Sequence, residues 1–178
     1  MSRIQTVSRE SAPATVAATL GAVQAKIGKV PNLIGTFANS PAALKAYLGL
    51  SETLATGRLS VRQREVIALS VAQANNCVYC LAAHSAIGKG AGLTESDIRL
   101  ARSASADDPL TAALAKLATK IVTERGVLSD TDIAAARAAG ADDGLLIEVV
   151  AQVAFNTLTN YTNHLADTEV DFPAPTPL

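Results

Sequence analysis

The chain has 178 residues, of which 49% are hydrophobic, 17% charged and 3% aromatic, with a formal net charge of -1 and a pI near 6.1. That length suits one domain able to bury a core without disulfide staples, and the near-neutral charge leaves no basic stripe for a phosphate backbone, which excludes nucleic acid as a partner. Alanine dominates the apolar set, favouring an all-α fold, and so few charges leave apolar surface that predicts burial between subunits in a homo-oligomer.

Residues Met1 to Thr15 contain no apolar leader segment. The most apolar stretch, Leu145 to Phe155, is interrupted by Glu148 and Gln152, so no membrane partner and a cytoplasmic location are expected. Ser40 before Pro41 opens a helix that Gly57 closes, and Ser60 caps the next. In that second helix Val61, Ile67, Ala68 and Val71 recur at helical spacing, and it carries Glu65. Asn75 and Asn76 then break the pattern. Asn76 reads as the N-cap of a helix running from Cys77 to about Gly88, which places both cysteines in a first turn. Thr94 caps a short helix, Pro109 starts one that ends at Gly126, and Ser129 caps one that ends at Gly140. Asp142 or Asp143 caps a last long helix to about Ala166. The tail from Asp171, with Pro173, Pro175 and Pro177, is non-helical and expected to lie extended on a surface.

Two internal echoes accompany this punctuation. At an offset of 35, the segment Leu93, Thr94, Asp97, Ile98 through Leu110 faces Leu128, Ser129, Asp132, Ile133 through Leu145, which suggests a repeated helix-and-turn unit. At an offset of 83, Gly57, Ser60, Glu65 and Val66 face Gly140, Asp143, Glu148 and Val149, while Cys77 and Cys80 face Asn160 and Asn163. The second echo fits duplication of one helix pair, of which one copy keeps its thiols. Alanine-rich helices also align by chance.

The chemistry concentrates in one stripe. Cys77, Cys80 and His84 stand at i, i+3 and i+7 on one helix face, so a thiol and an imidazole are neighbours one turn apart. A helix N-terminus and an adjacent base both lower a thiol pKa; the first acts most on Cys77 and the second most on Cys80, so the two arguments nominate different attackers. Glu65 is the candidate to orient or charge His84 if its helix folds back alongside. Thiolate attack on a peroxide gives a sulfenic acid, and a second cysteine three residues away can condense with it to a disulfide. The rival chemistry is zinc held by Cys77, Cys80 and His84 with Glu65 or His164 as a fourth ligand, although no second C-x-x-C pair exists. Blander readings stand beside these: the cysteines as small core residues, Glu65 as a solvated member of the run Arg62-Gln63-Arg64-Glu65, and His164 as a capping or interface group. Tyr79 reads as a packing residue at a pocket wall, and Asp107-Asp108 as helix N-terminal charge.

The pattern Glu65, eleven residues, Cys77-x-x-Cys80, three residues, His84 resembles the signature of the alkylhydroperoxidase D-like branch of the carboxymuconolactone decarboxylase superfamily. The likeness continues through the helical order to Asn160-Tyr161-Thr162-Asn163-His164 and Asp171-Phe172-Pro173, which resemble a peroxidase-related subfamily. It implies a single all-helical domain, with a core at about residues 40–125 followed by C-terminal helices and tail over 126–178. It further implies a thiol-dependent peroxidase acting on hydroperoxides, in which Cys80 attacks, Cys77 resolves, and His84 with Glu65 activates. Electrons would come from a dithiol such as a lipoyl group, the assembly would be a trimer or hexamer, and no cofactor or metal is called for. Where the best-known members carry a second His between the cysteines, this chain has Tyr79, so the relay is shorter. The alternatives are a non-enzymatic zinc-binding or redox-sensing module and, within the same superfamily, a lactone decarboxylase-type activity that needs no cysteine pair.

Overall fold

The computed structural model describes residues 2–175 and 177–178, and among these nine helices and no strand occur: α1 (Ala14–Ile27), α2 (Asn32–Phe37), α3 (Pro41–Ala55), α4 (Val61–Ala74), α5 (Val78–Gly90), α6 (Glu95–Arg102), α7 (Pro109–Thr123), α8 (Asp130–Ala138) and α9 (Asp143–Ala166). The fold is all-α, as composition and resemblance implied. From α3 onward the N-caps follow the sequence punctuation except at α5. Ser40 accepts the Ala43 amide, and Ser60 forms a capping box with Gln63. The echo at offset 35 has a structural counterpart: Thr94 with Asp97 and Ser129 with Asp132 form the same capping box at the starts of α6 and α8. Each of these short helices is followed by an Asp-capped one, α7 under Asp108 and α9 under Asp142.

α4 is the central element, packed against α5, α6, α7 and α9. Seven consecutive residues, Val66 to Ala72, are buried. A helix apolar on all sides must be enclosed on all sides, and α4 accordingly divides the interior in two. Val66, Leu69 and Ala72 face a core shared with Leu20, Ile98 and both cysteines. Ile67 and Val71 face a second core with Leu114, Leu117 and Val149. The one polar residue in the run, Ser70, donates its hydroxyl to the carbonyls of Val66 and Ala101, which ties α4 to α6 without leaving a buried donor unpaired.

The α4–α5 junction departs from the expected capping. Asn76 does not cap α5; it takes a left-handed conformation (φ 54°), Cys77 N–H bonds the Ala72 carbonyl at 2.9 Å, and Asn76 N–H bonds the Gln73 carbonyl at 3.1 Å. This is a Schellman ending of α4, a role asparagine can fill because it tolerates positive φ better than most residues. The cap of α5 passes to Cys77, whose Sγ accepts the Cys80 amide at 3.3 Å, and the helix runs Val78–Gly90. The first α5 turn is thus fixed by a sulfur atom.

Candidate functional site

Because Cys77 is the cap, Cys80 sits in the first turn of α5, where the unpaired amides and the helix dipole favour negative charge. His84 follows one turn later. α4 packs against α5 so that Glu65 Oε2 meets His84 Nδ1 at 2.8 Å, with both side chains largely buried. Glu65 is therefore a paired interior carboxylate and not a member of a solvated charge run. Nδ1–H donates to the carboxylate, which leaves Nε2 as the ring nitrogen available to a reacting group. Burial alone would lower the His84 pKa, but the Glu65 charge and hydrogen bond, together with the neighbouring Cys80 sulfur, raise it above its ordinary value. The balance favours the charged form of the ring relative to a free histidine.

The two thiols are driven apart. A hydrogen bond from the Cys77 thiol pulls Cys80 down to about 6; burial opposes the shift, and the His84 charge and the Asn163 and Asn160 amides reinforce it. The same thiol–thiolate bond, with burial and the Cys80 charge, pushes Cys77 up. The two thiols titrate as a coupled pair, with the shared proton favouring Cys77 and the charge favouring Cys80. The directions of the two shifts make Cys80 the more readily ionised sulfur of the pair.

α9 supplies the remaining contacts. Asn163 Nδ2 donates to Cys80 Sγ at 3.3 Å and lies 4.0 Å from Cys77 Sγ. Asn160 Oδ1 accepts from Asn75 Nδ2 at 2.9 Å, and His164 Nε2 donates to the Asn75 carbonyl at 2.9 Å, so α9 grips the Schellman turn that presents the cysteines. These asparagines are the positions that face Cys77 and Cys80 at offset 83. The sequence alone assigns them no role; the available signal was the row Gln152, Asn156, Thr159, Asn160 and Asn163, polar residues at helical spacing that are all buried along α9. Replacing Asn163 with leucine removes a donor to a charged sulfur and is expected to raise the Cys80 pKa by about one unit. The pH dependence of Cys80 alkylation measures this; an unshifted profile would mean that Asn163 only packs.

His164 is committed to a backbone carbonyl, in keeping with a capping role. Among the described residues no group of three or more His, Cys, Asp or Glu side chains could hold a metal ion, so the zinc arrangement is not assembled. Asp108 accepts the Thr111 amide and hydroxyl and lies below the usual carboxylate range, in keeping with helix N-terminal charge.

Tyr79 does not extend the relay. Its hydroxyl donates to Asp171 Oδ1 at 2.7 Å and accepts the Leu33 amide at 3.2 Å, and burial holds the phenol above its ordinary range. The tail therefore does not simply lie on a surface as expected. Asp171 is pinned to the residue between the two cysteines, and Phe172 packs edge-on against Tyr79 with ring centroids 5.7 Å apart. Cys80, His84 and Tyr79 share a cavity of about 150 Å³ with Tyr47, Phe155 and Phe172. Tyr47 stacks between Phe37 (4.9 Å) and Phe155 (5.3 Å), and burial, with the nearby Cys80 and Glu65 charges, pushes its hydroxyl up to about 12. The sulfur faces a chamber lined mainly by apolar and aromatic side chains.

The carboxymuconolactone decarboxylase family model matches residues 41–124, which include Glu65, both cysteines and His84. No curated protein sequence matches the chain. Among solved structures, the alkylhydroperoxidase AhpD core of a peroxidase-related protein from Ralstonia eutropha JMP134 is 26% identical and superposes with a TM-score of 0.86 over 96% of this chain and 92% of its own. A peroxidase-related protein from Silicibacter sp. TM1040 is 23% identical, with a TM-score of 0.75 over 88% and 85% of the two chains. The debrominase Bmp8, as a cysteine-to-alanine variant in complex with 2,3,4-tribromopyrrole, is 19% identical, with a TM-score of 0.80 over 94% and 91%. The family match spans the Glu-Cys-Cys-His constellation and the all-helical fold is shared over nearly the whole length, so the chain is similar to the alkylhydroperoxidase D-like branch of the carboxymuconolactone decarboxylase superfamily.

Proposed function

We propose that this protein is a thiol peroxidase that reduces hydroperoxides through a Cys77/Cys80 dithiol–disulfide cycle. The observation that carries the reading is the setting of Cys80: a sulfur in the first turn of α5 that accepts the Asn163 amide at 3.3 Å and lines an apolar cavity together with the Glu65-paired His84, a setting that favours the thiolate. Cys80 thiolate attacks the terminal peroxide oxygen, the O–O bond breaks, and the departing alkoxide takes a proton from the His84 imidazolium to leave as an alcohol. Cys80 is then a sulfenic acid. The Cys77 sulfur attacks the Cys80 sulfur, forming the disulfide and releasing water. A dithiol of the lipoyl type reopens the disulfide by exchange and is itself oxidised.

Glu65 acts through His84, holding the ring charged and oriented. No cofactor or metal enters the cycle. Ile147, Tyr161 and Leu165 are exposed apolar residues of α9, and their exposure supports self-association, for which the family resemblance suggests a trimer or hexamer. No helix among the described residues is long and apolar enough to cross a membrane, which is compatible with a cytoplasmic setting. Purified protein supplied with an alkyl hydroperoxide and dihydrolipoamide is expected to turn over both in equal amounts. Consumption of peroxide without dithiol oxidation, or no consumption with any dithiol, would overturn the reading.

A further inference from the structure

The cavity in front of Cys80 is completed by a residue from the far end of the chain. Phe172 lines it together with Cys80 and His84, although it lies well beyond the last helix. A chain end ordered this way must offset its lost conformational freedom with specific contacts, and the contacts are present. The Asp171 carboxylate takes hydrogen bonds from Tyr79 Oη at 2.7 Å, Lys29 Nζ at 3.0 Å and the Asn32 amide at 3.3 Å. Asn32 Nδ2 donates to the Glu169 carbonyl at 2.9 Å, and Thr168 N–H to the Asn163 carbonyl at 3.2 Å. The Lys29 ammonium stands 4.1 Å from the Phe172 ring centroid, opposite in kind to the Tyr79 edge contact. Tyr79 is thus both a member of the cysteine turn and the anchor of the tail.

We propose that Phe172, fixed by the Tyr79–Asp171–Lys29 cluster, is the specificity-determining residue of the site: it closes the outer wall of the cavity and limits by size which molecules reach the Cys80 sulfur. The inference rests on reading Cys80 as the reactive thiol, but not on peroxide being its substrate. At about 150 Å³ the cavity suits a compact or slender apolar group, and removing the Phe172 ring would add the space of an aromatic side chain to the cavity that Cys80 lines.

The test is made on the full chain in a Cys77→Ser background, so that alkylation reports Cys80 alone. Rates are taken with iodoacetamide and with a bulky aryl maleimide, and the quantity read is their ratio. Phe172→Ala is expected to raise the maleimide-to-iodoacetamide ratio by about tenfold or more, and Asp171→Asn, which loosens the anchor, by a smaller factor. Phe172→Trp, which keeps the wall, should leave the ratio at or below the parent value. An unchanged ratio in Phe172→Ala, or an equal rise in the tryptophan variant, overturns the proposal. If Phe172→Ala fails to fold, the Asp171→Asn and Phe172→Trp ratios decide alone. A protein that alkylates as expected yet consumes no hydroperoxide would refute the peroxidase reading and leave the role of Phe172 standing.

Discussion

Cys80→Ser is expected to reduce dithiol-dependent hydroperoxide consumption by about 10³-fold or more, to the uncatalysed background, because a serine hydroxyl at neutral pH is neither ionised nor comparably nucleophilic. Cys77→Ser is expected to fail differently. Serine is a good helix cap, so the start of α5 survives the change, and its hydroxyl can still donate to Cys80. Cys80 can then attack once, but nothing resolves the product. The expected result is a single stoichiometric oxidation, with a sulfenic acid on Cys80 that a dimedone-type trap captures and peptide mass mapping locates. Trapping on Cys77 in the Cys80→Ser protein would exchange the two roles. The asymmetry follows from Cys77 being committed twice, as acceptor for the Cys80 amide and as donor to the Cys80 sulfur.

The second large effect concerns the charge relay. Glu65 raises the His84 pKa against the opposing effect of burial, and a charged His84 in turn lowers that of Cys80. His84→Ala removes both the countercharge and the proton donor to the leaving alkoxide, and is expected to lower kcat/KM by about 10²- to 10⁴-fold. Glu65→Gln keeps a hydrogen-bonding partner but deletes the carboxylate charge. His84 then falls in pKa, its imidazole becomes neutral near pH 7, and Cys80 moves up toward the ordinary thiol value of about 8.5. The thiolate fraction rises with pH through the Cys80 pKa. Wild-type Cys80, pulled down to about 6, is therefore already ionised at neutral pH, and its nucleophilic rate should be nearly flat above it. Glu65→Gln should instead be slow at neutral pH and gain rate with alkalinity. A pH profile of the reductive half-reaction in both proteins reads the difference; superimposable profiles would detach Glu65 from the thiol.

What could be read without coordinates follows physical locality. Ser40, Ser60, Thr94, Ser129 and Pro109 each act within one helical turn, so the starts of α3, α4, α6, α8 and α7 were visible. α1 and α2 were not, because Pro13 and Pro31 precede them and no side chain caps either. Asn76 was ambiguous in principle: asparagine serves both as an N-cap and as a left-handed helix ending, and the tertiary path of the chain chose the latter. The Cys77, Cys80 and His84 stripe is local and was legible. The Glu65–His84 contact depends on how α4 and α5 pack, and spacing alone could only nominate it. Asn163 and Asp171 reach the cysteine turn from α9 and from the tail, at sequence separations of 83 and 92 residues to their partners Cys80 and Tyr79, where no periodic signal operates.

Every step proposed for this site depends on Cys80 being the ionised sulfur and Cys77 its protonated neighbour. Wild-type protein in the reduced state, pulsed briefly with iodoacetamide across a series of pH values and mapped by peptide mass, tests it most directly. The expected result is labelling of Cys80 with a midpoint near about 6, while Cys77 stays unlabelled until well above neutral pH. Labelling of Cys77 first, or of both cysteines with the midpoint of an ordinary thiol, would contradict it.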